Sequence, residues 1–434
     1  MAFLLVLIAL VVVAVVVAAN WYLWRRLFRD TTAGPGWVRR GGAVLVAGGW
    51  AAAVGALVAE RTGAPFWLQR TLAWPGFLWL ALSVYLLLAV VAGEVVRPLL
   101  RRWLEKRAAG RARAEGLGDA EPIRQEAAVS AGGSVTRPGA DGVAPPQAAP
   151  LAPTSTPTPA PSRRLFVSRV IAGTAAAAAV GTVGYGTYGV LRGPRVKRVT
   201  VPLAKLPRAA HGYRIAVVSD IHLGPVLGRG FAEKVVETIN ATQPDLIAVV
   251  GDLVDGSVKD LGPAAAPLAR LKARHGSFFV TGNHEYFSGA EQWVEEVRRL
   301  GLRPLENART EMPWFDLAGV NDLAGEGEGQ GPDFAKALGD RDRARACVLL
   351  AHQPVQVHEA VRHGVDLQLS GHTHGGQLWP GNLLAAAANP TVAGLDRYGD
   401  TQLYVSRGAG AWGPPTRVGA PSDITVIQLA SPRA

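Results

Sequence analysis

The sequence predicts an α/β domain that follows about four membrane-spanning helices. Two observations lead to this architecture. Long apolar runs are concentrated in the first 191 of the 434 residues. Beyond them, short β-like runs alternate with amphipathic helical patterns, and such alternation indicates layered α/β packing.

Four apolar segments are long enough to span a bilayer, which requires about 20 mostly apolar residues per helix. Arginines flank each of them. We expect a membrane domain with three spans over 1–107, an Ala/Pro-rich disordered linker over 108–164, a fourth span over 165–192 and the α/β domain over 199–434. The expected spans are 2–24, 41–59, 72–96 and 167–191.

The net charge of +11 is unevenly distributed along the chain. Residues 1–191 hold 19 Lys/Arg against 9 Asp/Glu, whereas residues 192–434 hold 26 against 25. Because the excess basic residues flank apolar segments, they favour a membrane protein over a nucleic-acid-binding protein. The single cysteine, Cys347, excludes an internal disulfide.

The distribution of arginines also predicts the orientation, since Lys/Arg excess marks the cytoplasmic side. Loop 25–40 carries five arginines and loop 60–71 carries two, which places the α/β domain outside the cytoplasm of a multi-pass cell-membrane protein. Four basic residues between 192 and 198 oppose this orientation. The pair Arg163-Arg164, ahead of the fourth span, resembles a twin-arginine export signal, and the alternative is two ordinary positive-inside arginines.

Polar side chains follow the predicted strands of the α/β domain, where a rigid sheet fixes the roots of the loops. Five of the nine histidines fall in these blocks, which makes coincidence a poor explanation. The predicted strands are Tyr213–Ser219, Asp245–Val250, Gly276–Val280, Cys347–Ala351 and Val365–Leu369, and the predicted helices are Gly230–Ala241 and Glu291–Leu300. The candidate metal ligands are Asp220, His222, Asp252, Asn283, His352, His372 and His374.

Seven oxygen and imidazole ligands are too many for one ion with open positions, but they suit two ions that share a carboxylate. Mixed N/O ligands without thiolate favour Mn, Fe, Zn or Co. Two such ions about 3.5–4 Å apart can activate a bridging hydroxide and clamp phosphoryl oxygens during in-line attack.

The order of the blocks, D-x-H, GD-x-x-D, GNH-E, H and GH-x-H, resembles the calcineurin-like metallophosphoesterase superfamily. GHTHGGQ, LYVSRGAG and TRVG are similar to its membrane-associated bacterial branch, which includes lipid-directed phosphodiesterases. The resemblance implies a four-layer α/β/β/α sandwich of two mixed sheets. It also implies the division of the ligands: Asp220, His222, Asp252 and His374 for one ion, and Asp252, Asn283, His352 and His372 for the other.

By the same resemblance, His284 is the general acid that protonates the leaving oxygen, and Asp255 orients its ring. A leaving alkoxide needs a proton, and histidine titrates in the suitable range. The protein-phosphatase branch has an arginine after the second Asp of GD-x-x-D, where this chain has Gly256. This difference favours a diester or pyrophosphate over a phosphoprotein.

The sequence leaves three functions open. The first is a membrane-bound phosphodiesterase or pyrophosphatase, with lipid-linked substrates among the candidates. The second is an extracytoplasmic phosphatase or nucleotidase for small soluble esters, and the third is a metal-binding sensor without catalysis. An apolar stretch that includes Trp379, Leu383 and Leu384 follows the last block, either as core packing or as a lip for an acyl chain or the bilayer.

Overall fold

The α/β domain contains two mixed six-stranded sheets that pack face to face. The computed structural model describes residues 2–115 and 163–432. The strand order is β1-β12-β2-β3-β4-β5 in the first sheet and β10-β11-β9-β8-β7-β6 in the second. The strands are β1 Arg195–Pro202, β2 Arg214–Val218, β3 Leu246–Val250, β4 Ser277–Val280, β5 Arg303–Pro304, β6 Ala308–Glu311, β7 Phe315–Gly319, β8 Ala346–Leu350, β9 Leu367–Ser370, β10 Gly394–Tyr398, β11 Thr401–Val405 and β12 Asp423–Ala430.

Helices cover the outer faces of both sheets and form the membrane-spanning part of the chain. They are α1 Ala2–Trp24, α2 Trp37–Arg61, α3 Phe66–Glu115, α4 Arg163–Leu191, α5 Arg229–Ala241, α6 Val258–Ala265, α7 Asn283–Ser288, α8 Ala290–Arg299, α9 Phe334–Leu338, α10 Val357–Arg362 and α11 Gly381–Ala388.

The central strands β2, β3 and β4 of the first sheet are buried on both faces, and alternate residues enter different cores. In β2, Ile215 and Val217 pack between the two sheets, whereas Ala216 and Val218 pack against the outer helices. The two-residue period of a strand accounts for this division. Because both faces must be apolar, the sequence shows a continuous hydrophobic run rather than an alternating pattern.

Amphipathic helices cover the outer face of each sheet. On the first sheet, Phe231 and Val235 of α5 join Trp293 of α8 in one apolar cluster. On the second sheet, Leu338 of α9 and Ala360 of α10 pack against the outer side of β8. The result is the predicted four-layer α/β/β/α sandwich, which is confirmed.

Four of the described helices are long and apolar enough to cross a membrane: Val6–Arg29, Trp37–Arg61, Phe66–Gly110 and Arg163–Leu191. They correspond to the four predicted spans. Helix α3 has 50 residues, or about 75 Å at the helical rise, so it extends well beyond a bilayer of about 30 Å.

Three predicted boundaries differ from the structure. Helix α3 continues through residue 115 rather than ending before 108, and α4 begins at Arg163. The remainder of the predicted linker, 116–162, lies outside the described residues. Strand β1 begins at Arg195, ahead of the predicted domain boundary at 199, because it pairs in parallel with β12 along its whole length.

The membrane helices contact the α/β domain directly. The hydroxyl of Tyr85 in α3 donates to the carbonyl oxygen of Trp379 at 2.9 Å. In α4, the Gly186 carbonyl accepts from the Arg417 amide at 3.3 Å, and Thr187 is hydrogen-bonded to Thr416. The end of α2 also lines a cleft with His284, and Phe66 at the start of α3 packs against the core of the first sheet. These helix ends and the end of α4 therefore lie on the same side as the α/β domain.

Candidate metal centre

All seven predicted metal ligands lie at the carboxyl ends of strands, where the two sheets meet. Asp220 and His222 follow β2, and Asp252 follows β3. Asn283 begins α7, just after β4. The second sheet contributes the other three, with His352 after β8 and His372 and His374 after β9. The structure thus brings together residues that are up to 154 positions apart in the chain.

The first group of side chains comprises Asp220, His222, Asp252 and His374, whose ligand atoms all lie within 4.8 Å of one another. All four residues are buried. The Nε2 atoms of His222 and His374 are 3.0 Å apart, and Nε2 of His374 is 3.3 Å from Oδ1 of Asp220. Donors from two loops thus converge on one small volume.

The second group comprises Asp252, His352 and His372, again within 4.8 Å. Nε2 of His352 lies 3.1 Å from Oδ2 of Asp252. Asn283 adjoins this group, because its Oδ1 atom is 2.9 Å from Nδ1 of His372. Asp252 belongs to both groups, which is the arrangement expected of a carboxylate shared between two ions.

The hydrogen bonds of two imidazoles leave the ring nitrogens that suit metal binding. Nδ1 of His352 is 2.9 Å from the carbonyl oxygen of Val250, an acceptor only, so this nitrogen carries the proton. Its Nε2 atom is buried and, although Oδ2 of Asp252 is 3.1 Å away, it makes no hydrogen bond of suitable geometry to the described residues. Nδ1 of His222 donates to Asp255 at 2.8 Å in the same way. The Nε2 atoms of His352 and His222 are therefore the nitrogens available to bind a metal.

The charges of the site also fit cations. Burial opposes ionisation of Asp252, but His352 and other imidazoles outweigh it and hold the pKa of Asp252 well below its usual value. His374 does the same for the pKa of Asp220. Burial and the His352 charge lower the pKa of His372 to about 4, so this imidazole is neutral and has a free lone pair. This His/Asp cluster therefore suits two cations.

His284 stands beside the ligand cluster and is held by Asp255. Its Nδ1 atom donates to Oδ1 of Asp255 at 2.7 Å, and its ring is T-shaped against Phe287 and Trp412. Burial alone would lower the pKa of His284, but the hydrogen bond and charge of Asp255 raise it to about 9. The ring is therefore protonated at neutral pH and partly accessible.

Glu285 is a buried residue to which the sequence assigned no function. Its carboxylate accepts from the backbone amides of Asp252, Leu253 and Gly282, at 3.0, 2.8 and 2.6 Å. It therefore joins the loop after β3 to the first turn of α7 and fixes Asp252 relative to Asn283. The only signal in the sequence is an acidic residue within the GNHE block.

Arg417 is a second residue whose function was not predicted. It is buried, and its Nη1 atom donates to the carbonyl oxygen of His374 at 3.0 Å, while Nη2 is 3.3 Å from Nδ1 of the same residue. Burial lowers the pKa of Arg417 to about 10. The TRVG motif contains Arg417, but a contact across 43 residues has no local signature.

Gly251 shows how closely the two sheets approach at the site. Its φ of +72° lies in the left-handed region, and an added Cβ would be 2.5 Å from Nδ1 of His352 and 2.7 Å from Cα of Gly282. Only glycine meets both requirements. The loop after β3 can therefore bring Asp252 against His352.

A cleft of about 670 Å³ lies over the two groups. The α/β domain contributes Asp252, Asp255, Gly256, Asn283, His284, Phe287, Ser288, His372, His374 and Trp412 to its lining. Membrane helix α2 contributes Leu57, Glu60 and Arg61. Part of the wall therefore comes from a segment that no motif of the α/β domain could reveal.

The fold and these clustered side chains define a metallophosphoesterase. A profile of the calcineurin-like phosphoesterase family matches residues 213–376. An uncharacterized metallophosphoesterase of Aquifex aeolicus is 35% identical over 240 residues, which cover 54% of this chain and 91% of that protein. The chain belongs to the calcineurin-like phosphoesterase family, as the sequence predicted.

This chain is also similar in sequence to relatives that are named as membrane proteins. A transmembrane protein with a metallophosphoesterase domain from Danio rerio is 40% identical over 260 residues, which cover 56% of this chain. The chain spans 59% of the length of that relative. A solved dimetal phosphatase from Danio rerio is 12% identical, with a TM-score of 0.35 over 49% of this chain and 91% of that chain.

Proposed function

We propose that this chain is a membrane-anchored binuclear-metal phosphoesterase that hydrolyses a phosphodiester or pyrophosphate bond close to the membrane surface. The observation that carries the proposal is the pair of ligand groups that share Asp252. One group alone would fit a single structural or catalytic ion, whereas two adjoining groups suit two-metal hydrolysis of phosphoric esters.

The residues that would hold the two ions are those of the two groups, with Asn283 added to the second. Mn, Fe, Zn and Co all match this donor set. When bound, such ions polarise phosphoryl oxygens and activate water. Asp255 keeps the ring of His222 in the tautomer that presents Nε2, and Glu285 and Arg417 hold the backbone of neighbouring ligands.

His284 is proposed as the general acid. It lines the cleft, carries a proton at neutral pH and is not needed in either ligand group. Its charged ring can also bind a phosphoryl oxygen before the proton moves to the leaving oxygen. A protein that only senses metal has no use for such a donor, so His284 supports an enzyme.

The substrate class follows from two features of the cleft. Gly256 contributes no side chain to it, and the end of membrane helix α2 adjoins it. A phosphoprotein fits poorly at such a position, whereas a diester or pyrophosphate in a lipid headgroup is presented there by the bilayer. A lipid-linked ester is therefore the proposed substrate.

The proposed orientation places the site outside the cytoplasm of a cell-membrane protein. It is supported by the positions of the helices together with the arginine distribution, because the ends of α2 and α4, and with them the arginine-poor loop 60–71, lie on the side of the α/β domain. If Arg163 and Arg164 act as an export signal, replacing both with lysine will leave the domain inside. Protease digestion of intact spheroplasts measures the location, and unchanged export would refute the signal.

The full chain in detergent micelles, supplied with Mn²⁺, tests the enzymatic proposal. Bis-p-nitrophenyl phosphate, p-nitrophenyl phosphate and a UDP-linked lipid distinguish diesterase, monoesterase and lipid-directed activity. Asp252→Ala should abolish turnover and lower the metal content measured by plasma mass spectrometry, because both groups lose a ligand. Activity that survives Asp252→Ala would refute the site. Preference for the monoester p-nitrophenyl phosphate would favour the alternative function, a phosphatase for small soluble esters.

A further inference from the structure

One wall of the active-site cleft is the carboxyl end of membrane helix α2. Leu57, Glu60 and Arg61 line the same cleft as His284 and the ligands His372 and His374. Glu60 and Arg61 lie three and four residues after Leu57, so all three side chains lie on one side of the last turn of α2. The membrane domain thus supplies part of the wall of this cleft.

Arg61 is the residue on this wall that suits an anion. Its guanidinium carbon is 5.0 Å from the ring centre of Phe287, which lies one turn after His284 on α7. Arg61 is exposed, and no carboxylate among the described residues lies within 4.0 Å of its guanidinium nitrogens. An arginine stacked on an aromatic ring keeps its planar donors free for a phosphate.

The charges of the other lining residues make Arg61 unusual. Among the described residues that line the cleft, Arg61 alone carries a permanent positive charge, since the rest are acids, histidines, small polar or apolar residues. Gly256, on the opposite domain, has no side chain to offer. Arg61 of α2 is therefore the residue available to pair with a second anionic group of a substrate.

We propose that Arg61 binds a second phosphate of the substrate while the reacting phosphate lies among the ligand groups and His284. This inference rests on the proposed function and narrows its substrate to a pyrophosphate-containing molecule at the membrane surface. Glu60 lies on the same wall, and its ionised form would repel an anion rather than bind it.

Inhibition of bis-p-nitrophenyl phosphate hydrolysis by two phosphonates tests the proposal on the full chain in micelles, with free Mn²⁺ held constant. Methylenebisphosphonate carries the second anionic group, and methylphosphonate lacks it. Arg61→Ala should raise the inhibition constant of methylenebisphosphonate about tenfold, as expected for loss of a charge-assisted hydrogen bond, and that of methylphosphonate less than twofold. In Arg61→Lys, the inhibition constant of methylenebisphosphonate should lie between those of the wild type and Arg61→Ala.

Arg70→Ala is the matched control, because Arg70 is an exposed arginine at the same end of the membrane helices and does not line the cleft. It should leave both inhibition constants unchanged, and Glu60→Gln should not raise that of methylenebisphosphonate. Equal responses of the two phosphonates to Arg61→Ala, or a tenfold rise in Glu60→Gln or Arg70→Ala, would overturn the assignment. A wild-type chain that hydrolyses no ester would instead remove the proposed function, and this inference with it.

Discussion

Five of the seven proposed metal ligands adopt backbone conformations that side chains other than glycine rarely adopt. The φ angles of Asp220, His222, Asp252, His372 and His374 are 52°, 49°, 51°, 72° and 53°. Each such residue costs about 1 kcal/mol or more. The surrounding sheets and hydrogen bonds impose this strain, which aims the side chains of adjacent loops at one point.

Removal of His284 tests its role through the leaving group. His284→Ala should slow hydrolysis of an alkyl phosphodiester by about 100-fold or more, because an alkoxide needs a proton to leave. Hydrolysis of bis-p-nitrophenyl phosphate should slow by less than about tenfold, since p-nitrophenolate leaves without one. Turnover numbers for the two substrates give the comparison, and equal losses on both would contradict the assignment.

The pH dependence of turnover tests the contact between His284 and Asp255. A general acid works in its protonated form, so the rate on an alkyl diester should fall as pH rises through the pKa of about 9. Asp255→Asn removes the charge that raises this pKa, so the alkaline limb should move towards the ordinary value of 6.5. Metal content is the control, because Asp255 also contacts His222. An unmoved limb would exclude Asp255 as the cause.

The sequence identified the clustered polar residues but not the forces that position them. Asp252 and His352 could be predicted because each ends an apolar run that reads as a strand. Glu285 and Arg417 could not, because their partners are backbone atoms whose proximity depends on the finished fold. The positive φ of His222 was equally hidden, since histidine gives no sign of it.

Among the secondary-structure elements, the buried strands were the easiest to predict. The observed ranges of β2 and β3 agree with the predicted ones to within one or two residues. The agreement is close because both faces of each strand are apolar. β5 and β6 were not predicted, since they are short and contain Arg303, Pro304 and Glu311. Their pairing depends on tertiary context, which composition does not record.

Helix α11 is an element whose environment is explained by the membrane. None of its residues is buried, and Leu383 and Leu384 are 65% and 76% exposed. Leu378, just before it, packs against the cluster of membrane-helix residues around Tyr85. An apolar helix beside the membrane helices lies where the bilayer surface can receive it, which favours the lip, one of the two alternatives left open by the sequence, over core packing.

Leu384→Gln tests the contact of α11 with lipid. In proteoliposomes, activity on a vesicle-embedded phosphodiester should fall about fivefold, because burial of one leucine side chain is lost. Activity on soluble bis-p-nitrophenyl phosphate should stay within twofold. Val355→Gln, which alters an exposed apolar side chain outside α11, provides the control. Equal effects of Leu384→Gln on both substrates would contradict the lip.

The membrane and α/β parts of the chain are joined by a short path of contacts that reaches the proposed metal ligand His374. Gly186 in α4 accepts a hydrogen bond from the amide of Arg417, whose guanidinium holds His374. A Cβ at Gly186 would lie 2.6 Å from the carbonyl oxygen of Arg417. A change within a membrane helix should therefore affect the metal centre.

Gly186→Ala should displace Arg417 and lower metal affinity by about tenfold, the size expected when a residue that orients a ligand is disturbed. Metal retained after dialysis against a graded series of chelator concentrations measures this affinity. Gly184→Ala is the matched control, because a Cβ there meets nothing within 4 Å. Identical metal retention in the two variants would show that the path carries no coupling.

The wall that α2 contributes to the cleft bears on how this protein should be studied. A water-soluble fragment containing only the α/β domain would keep every proposed ligand and His284, yet its cleft would be open where Leu57, Glu60 and Arg61 stand. Such a fragment could turn over artificial chromogenic esters well while losing discrimination among natural ones. Substrate screens and inhibitor searches on this fragment would therefore report the specificity of an incomplete cleft rather than that of the full chain.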